Sequence, residues 1–215
     1  YNRRDVEVEM SIQKRLSKYP VSEQIWDEYH LDQEINDRGI ALDMVMVENA
    51  ILFDERSRSD LTASMQDITD VDNPNSVAQM KQWLSDNGIE TESLGKKDVA
   101  KLIEDTSGKV EDALRLRLQL AKSSVKKHQA MQNAVCKDGR AHGMFQFYGA
   151  NRSGRWAGRL IQLQNLPQNH MKGLAEVREI VRSGDYETME LLYDDIPGAL
   201  SQLIRTAFVV RDGIS

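Results

Sequence analysis

The sequence predicts a mainly helical fold of the α+β class. Apolar residues recur at helical spacing over most of the 215 residues, and glycine, proline or capping residues separate the periodic segments. Residues 39–43 are predicted to form a short extended segment, and residues 143–148 alternate enough for a strand. Asp138-Gly139, between two partly apolar runs, is typical of a β-hairpin turn. We therefore expect a helical body with a small β element.

Four predicted helices occupy the first half of the chain, at residues 6–16, 23–38, 44 into the sixties, and 77–87. Each carries a stripe of apolar residues at intervals of three or four. Local signals bound them, since Gly39 fits a C-cap, Asp43 an N-cap, and Ser76 a cap after an Asn-Pro turn. Residues 67–72 are predicted to form an acidic connector.

The longest predicted helix runs from Lys109 to Val135, after a short one at residues 95–103. Lys122, Lys126 and Lys127 lie at i, i+4 and i+5, so they share one face of this long basic helix. Such a face either binds phosphates or is merely solvated. The last predicted helices cover residues 173–183, 186–195 and 198–207.

Charge is segregated along the chain. The net charge is −6, yet residues 115–172 hold eleven lysines and arginines against one acid, Asp138. This segment is therefore +10, which leaves −16 for the remainder. A basic segment on an acidic body attracts and aligns a phosphate backbone, so we expect a polyanionic partner.

Composition also excludes several classes of protein. Cys136 is the only cysteine, so the chain has no internal disulfide, and the four histidines lack metal-site spacing. No apolar run approaches the roughly 20 residues that span a bilayer, and the start has no signal-peptide pattern. We expect a cytoplasmic, metal-free chain with no membrane partner and no implied oligomer.

Residues 152–167, RSGRWAGRLIQLQNLP, combine arginines, amide side chains and glycines without a carboxylate. Guanidinium groups bind phosphate oxygens, while amides donate to and accept from base edges. Glycines let a partner approach the backbone closely. The pattern predicts a nucleic-acid contact loop, with an ordinary exposed polar loop as the alternative. Its arginines and amides are Arg152, Arg155, Arg159, Gln162, Gln164 and Asn165.

This segment resembles the thumb–palm junction of family A (DNA polymerase I-like) DNA polymerases, where TGR is followed by NLQNIP. Gly154-Arg155 matches the GR, and Leu163 to Pro167 then matches LQNIP without a gap. Ser153 replaces the threonine, and Gln162 replaces an asparagine. The FYGA and RxGRWAGR strings are similar to the phage and prophage branch in particular.

Further similarities to the family follow in order along the chain. They lie at Tyr1–Asp5 (the YxxxD that closes an exonuclease domain), Asn73–Ser76, Ala121–Lys127 and Ile204–Phe208. The resemblance implies three regions: the C-terminal end of a 3′–5′ exonuclease-like domain at 1–18, a thumb region at 19–140, and the thumb–palm junction with the start of the palm at 141–215. Asp5 near the start of a helix, stabilised by the helix dipole, explains that residue equally well.

The resemblance also implies which side chains touch DNA. In the family, the residues at Arg155 and Asn165 contact the minor groove of the duplex near the growing primer end. Arg205 matches an arginine near the active site, and Trp156 is expected to be packed. The implied DNA-binding residues are Lys122, Ser123, Ser124, Lys126, Lys127, Arg152, Arg155, Arg159, Gln162, Gln164, Asn165 and Arg205.

Neither of the family's two catalytic aspartate segments, nor its nucleotide-binding fingers helix, has a match here. The resemblance therefore implies a fragment of a DNA-directed DNA polymerase that binds primer–template duplex but has no catalytic residue or metal site. Mg²⁺ and a dNTP are expected only for the full-length parent. A non-catalytic helical nucleic-acid-binding or replication accessory protein is the alternative. An exonuclease would need carboxylates upstream of Tyr1.

Overall fold

The computed structural model describes residues 2–122 and 126–210. This part of the chain contains ten α-helices, two short 3₁₀ helices and two small antiparallel sheets, which confirms the mainly helical α+β prediction. The α-helices are α1 Asn2–Leu16, α2 Glu23–Arg38, α3 Met44–Thr69, α4 Val77–Asp86, α5 Lys96–Glu104, α6 Lys109–Leu120, α7 Lys126–Ala134, α8 Leu174–Ser183, α9 Tyr186–Leu192 and α10 Ile196–Leu203. The strands are β1 Ile40–Ala41, β2 Arg140–Ala141, β3 Phe145–Ala150 and β4 Arg155–Gly158.

Helix α3 is the centre of the fold. It packs against α6, α7, α8 and α10, and its buried face enters the main hydrophobic core. That core takes residues from both sides of position 140, so the helices after the hairpin are packed onto the same body as α3. A second, smaller cluster around Leu84, Val99 and Leu114 joins α4, α5 and α6. By contrast, α1 buries none of its side chains against the rest of the described chain.

The prediction of one long basic helix from Lys109 to Val135 is wrong. Helix α6 stops at Leu120, and Lys122 lies outside any helix. Arg58 of α3 explains the break, because its guanidinium donates to the carbonyls of Leu120 (2.9 Å) and Lys122 (2.6 Å). The last carbonyls of a helix need partners from outside it, and Arg58 supplies one to Leu120 while its second bond holds the chain just beyond the helix. Lys122 therefore does not share a helical face with the lysines of α7.

Helix α3 is longer than predicted. It continues to Thr69, through the first residues of the predicted acidic connector. Asp70 then ends it in the left-handed conformation (φ 52°), and its N–H donates to the carbonyl of Gln66. A left-handed residue after the last turn is a common way to terminate a helix, and here an aspartate takes the place of the usual glycine.

The turn predicted at Asp138-Gly139 forms, and the hairpin predicted around it is confirmed only for the residues next to the turn. Gly139 has φ 77°, and the N–H of Cys136 donates to the carbonyl of Arg140 (2.8 Å). Apart from one bridge between Val135 and Ala141, strand β2 pairs with β1, nearly a hundred residues earlier. The regular hairpin lies instead at β3–β4, within the segment predicted to contact nucleic acid.

His142 connects the β1–β2 sheet to the end of α2. Its Nδ1 lies 2.8 Å from the Asp37 carbonyl, and its Nε2 lies 3.0 Å from a carboxylate oxygen of Asp138. Both partners are acceptors, so the geometry favours an imidazolium with a proton on each nitrogen. The hydrogen bond with Asp138 raises the pKa of His142, and the same bond lowers the pKa of Asp138. Asp37, Arg38 and Arg140 are the other charged residues at this junction.

We expect this pair to make stability depend on pH. The contribution of His142 is fully present below the ordinary histidine pKa of about 6.5 and is lost as pH rises through the raised pKa of the folded state. The contribution of Asp138 is lost on the acid side, as pH falls through its lowered pKa. Denaturant unfolding at a series of pH values should show a smaller loss of stability above neutrality in His142→Gln than in the parent chain. The exposed His170→Gln variant is the control, and an equal change in both variants would contradict the assignment.

Candidate nucleic-acid interface

The β3–β4 hairpin presents the predicted contact residues. Its register pairs Phe145 with Gly158 and Ala150 with Arg155, with an irregular stretch between. Asn36 of α2 fixes the start of β3, because its side-chain amide accepts from the Phe145 N–H (2.9 Å) and donates to the Phe145 carbonyl (3.1 Å). The hairpin is therefore attached to the helical body at a defined position.

Three arginines of this hairpin are available to a ligand. Arg152, Arg155 and Arg159 are exposed, and none has a side-chain partner within the described residues. Arg58 and Arg140 differ, since their side chains donate to backbone carbonyls. Unpaired guanidinium groups on a short hairpin are suited to binding phosphate or the edges of bases.

The segment after β4 alternates buried anchors with exposed amides. Ile161 and Leu166 belong to the main core, whereas Gln162, Gln164 and Asn165 are exposed. Residues Leu163–Asn165 form a 3₁₀ helix. Because apolar anchors hold the backbone at both ends, the amides project from a fixed scaffold. We call the set Arg152, Arg155, Arg159, Gln162, Gln164 and Asn165 the hairpin–loop surface.

Backbone strain is concentrated at this surface. Within the described residues, four non-glycine residues have a positive φ, and three of them are Tyr148 (54°), Leu160 (52°) and Gln162 (55°). Each such conformation costs on the order of 1–3 kcal/mol and persists only where the surroundings impose it. Strain of this kind is frequent at binding sites, and here it sets the directions of the hairpin and the amides.

Gly158 makes room for one of these amides. A Cβ atom at this position would overlap the end of the Gln164 side chain, which lies against the strand. Gly158→Ala should therefore displace the flexible Gln164 side chain while changing stability by no more than about 0.5 kcal/mol. We expect weaker duplex DNA binding by Gly158→Ala and no further loss when Gln164→Ala is added. Additive losses in this double-mutant cycle would show that the two residues act independently.

Two predicted DNA-binding residues donate to the loop backbone. Lys127 Nζ donates to the Ile161 carbonyl (2.7 Å), and Arg205 donates to the carbonyls of Leu166 (3.0 Å) and Pro167 (2.7 Å). These bonds support the loop from α7 and from the last 3₁₀ helix, Ile204–Ala207. Their direct contact with DNA stays a prediction.

The remaining predicted residues are placed as follows. Lys122 forms an ion pair with Asp195, the N-cap of α10, while Lys126 is exposed without a side-chain partner in the described chain. Ser123, Ser124 and Tyr1 lie outside the described residues. Asp5 is exposed in the first turn of α1, the location that the helix-dipole explanation requires.

Trp156 is not packed as expected, because 46% of it is exposed. It lies in β4 with its ring edge-on to Phe147, at a centroid distance of 6.2 Å. Tyr148, on the opposite strand, is 52% exposed. The sequence did not lead us to expect that either aromatic side chain would be exposed, although their position beside a glycine-rich turn was a signal that could have indicated it.

The part of the chain that the structure describes brings no three His, Cys, Asp or Glu side chains together in a way that would hold a metal ion. None of its helices is both long and apolar enough to cross a bilayer.

Comparison with known proteins relates the chain to a polymerase. It is 49% identical over 210 residues, 97% of its length, to a protein named DNA polymerase from Bacillus phage SP02. The chain spans about a third (32%) of the length of that relative. No protein-family model and no solved structure matches the chain. The similarity therefore extends over nearly the whole of this chain.

Proposed function

We propose that this chain is the thumb and the start of the palm of a family A DNA-directed DNA polymerase. In this proposal it binds primer–template duplex through the hairpin–loop surface. The observation that carries the proposal is the set of three unpaired arginines beside a loop of exposed amides. Residues 139–175, which include this surface, contain no carboxylate. The identity to a phage DNA polymerase supports the same conclusion.

The arginines and the amides of the hairpin–loop surface have different roles. Arginines neutralise phosphates and hold the duplex in register, whereas amides reach base edges. Minor-groove acceptors are nearly the same for every base pair, so amides placed there test pair geometry without reading sequence. The buried anchors Ile161 and Leu166, with Lys127 and Arg205 bonded to the loop, hold these groups ready before DNA arrives. A preorganised surface loses less entropy on binding.

In this proposal, nucleotidyl transfer takes place in other parts of the longer polymerase. Nucleotidyl transfer by such enzymes uses magnesium ions and an incoming dNTP. The described residues offer no group of carboxylates that fits a magnesium ion, so we assign no magnesium ligand to them. The contribution of this chain is to bind and align the duplex.

The salt dependence of duplex binding tests the proposal. Each phosphate neutralised contributes about 0.9 to the slope of log affinity against log salt concentration. The triple variant Arg152→Ala, Arg155→Ala, Arg159→Ala should therefore reduce this slope by about 2–3. Fluorescence anisotropy of a labelled duplex over a range of salt concentrations measures it.

A charge-matched control uses α1, none of whose side chains is buried against the rest of the described chain. Arg4, Lys14 and Arg15 are exposed there, and replacing all three by alanine removes the same charge. The control variant should keep most of the parent slope. Equal slopes for the two triple variants would mean that binding reflects overall charge, and this result would contradict the proposed binding surface.

A further inference from the structure

Aromatic side chains continue from the hairpin onto α2. The Phe147 ring lies between three others, with centroid distances of 5.1 Å to Tyr148, 5.8 Å to Tyr29 and 6.2 Å to Trp156. Tyr29 in turn contacts Trp26 at 5.8 Å. Tyr148, Trp156 and Trp26 each keep roughly half of their surface exposed. Large aromatic surface left open to water in one patch marks a binding site more often than chance exposure.

The hairpin end of this patch is held in a fixed geometry. Tyr148 has a left-handed backbone (φ 54°), and its ring covers Gly154, where a Cβ atom would approach the ring carbons to 2.8 Å. Trp156 is placed by pairing within the β3–β4 hairpin and by its edge contact with Phe147. The two exposed rings are therefore presented by a rigid element, which lowers the entropy lost when a flat ligand stacks on them.

Charge distinguishes the two ends of the patch. The hairpin end lies beside Arg152, Arg155 and Arg159, in a stretch without carboxylates. The Trp26 end lies on an acidic helix, since α2 carries five carboxylates besides the buried Asp32, at Glu23, Asp27, Glu28, Glu34 and Asp37. A ligand that combines flat rings with phosphates fits the hairpin end and is repelled from the other.

We infer that Tyr148 and Trp156 form a stacking site for unpaired bases of a DNA single strand, next to the duplex held by the hairpin–loop surface. Aromatic rings beside cations are the general means of binding single strands without sequence preference, because every base has a π face. The location beside a duplex rests on the proposed function, but the stacking site itself rests on the exposed rings and the arginines.

The chain contains three tryptophans, Trp26, Trp83 and Trp156, and these give the experiment its internal controls. Fluorotryptophan-labelled protein gives one fluorine NMR signal for each, assigned with single Trp→Phe variants. A short oligothymidylate should shift or broaden the Trp156 signal and leave those of Trp26 and Trp83 in place. A blunt-ended duplex should have a smaller effect on Trp156. Equal responses of all three signals, or a Trp156 signal that never moves, would overturn the inference.

Affinities separate this site from the duplex surface. Trp156→Ala should weaken oligothymidylate binding about fivefold or more, equivalent to ~1 kcal/mol, and leave blunt-duplex affinity within about twofold. Trp156→Phe, which keeps a ring, should retain most single-strand affinity. If duplex binding did not depend on the three arginines but Trp156→Ala still weakened oligothymidylate binding, the proposed duplex surface would fail and the stacking site would stand.

A basic peptide is the competing ligand for an aromatic patch beside an acidic helix. An oligolysine peptide that moved the Trp156 and Trp26 signals, with oligothymidylate inactive, would assign the patch to a protein partner and refute the stacking site.

Discussion

Gly39→Ala is expected to lower the free energy of unfolding by about 3 kcal/mol or more. Gly39 ends α2 with φ 64° and ψ 178°, a conformation that is essentially restricted to glycine. A Cβ atom there would lie 2.9 Å from both the Ala141 carbonyl oxygen and His142 Nδ1. Backbone strain and a clash with β2 therefore add, and neither can be relieved without separating α2 from the sheet.

Urea unfolding of the parent chain and variant measures the change, and Gly88→Ala provides a matched control. Gly88 also has a positive φ (81°), but no atom lies near its missing side chain. Gly88→Ala should lower the free energy of unfolding by only about 1–2 kcal/mol, because alanine is less stable than glycine in the left-handed conformation. If Gly39→Ala lowered the free energy of unfolding no more than Gly88→Ala, the result would contradict the close approach of α2 and β2.

Elements bounded by local signals were predictable from the sequence. Asp43 accepts from the Met46 N–H (3.2 Å) and Ser76 from the Gln79 N–H (3.4 Å), as expected of N-caps. Helix α2 ends at Arg38, directly before the predicted cap Gly39. Such signals involve residues three or four positions apart, so a single sequence contains the whole interaction.

Elements set by distant partners were not predictable. Helix α6 ends where Arg58 binds its final carbonyl, and Arg58 lies 62 residues before Leu120 in the chain. Strand β2 pairs with β1 across an even longer separation, which a turn signal at Asp138-Gly139 cannot reveal. Helical periodicity continues past Leu120, so the local pattern favoured a longer helix there.

The candidate site was also predictable from the sequence only in part. Composition identified the arginines and amides of the hairpin–loop surface, because their density and the lack of carboxylates are properties of a continuous segment. The strand at Arg155–Gly158 and the exposure of Trp156 depend on which faces the helical body covers. The bonds from Lys127 and Arg205 to the loop likewise require the folded arrangement of α7 and the last 3₁₀ helix.

Arg155→Lys is the substitution with the largest expected effect on function. Arg155 opens β4, is exposed, and has no side-chain partner within the described residues, so the change should leave stability nearly unaltered. Lysine keeps the positive charge but lacks the planar fork that bridges two acceptors. A contact with phosphate alone should tolerate the change. A bidentate contact at the minor-groove edge should lose about 1–3 kcal/mol.

The most direct test is single-turnover primer extension by the longer polymerase that we propose contains this chain. Matched and mismatched primer ends are extended by the parent, by Arg155→Lys, and by Arg4→Lys as a control on α1. If the hairpin–loop surface checks the primer end, Arg155→Lys should slow matched extension about tenfold or more and reduce the ratio of matched to mismatched rates. A ratio equal to those of the parent and Arg4→Lys would contradict a role for this surface at the primer end.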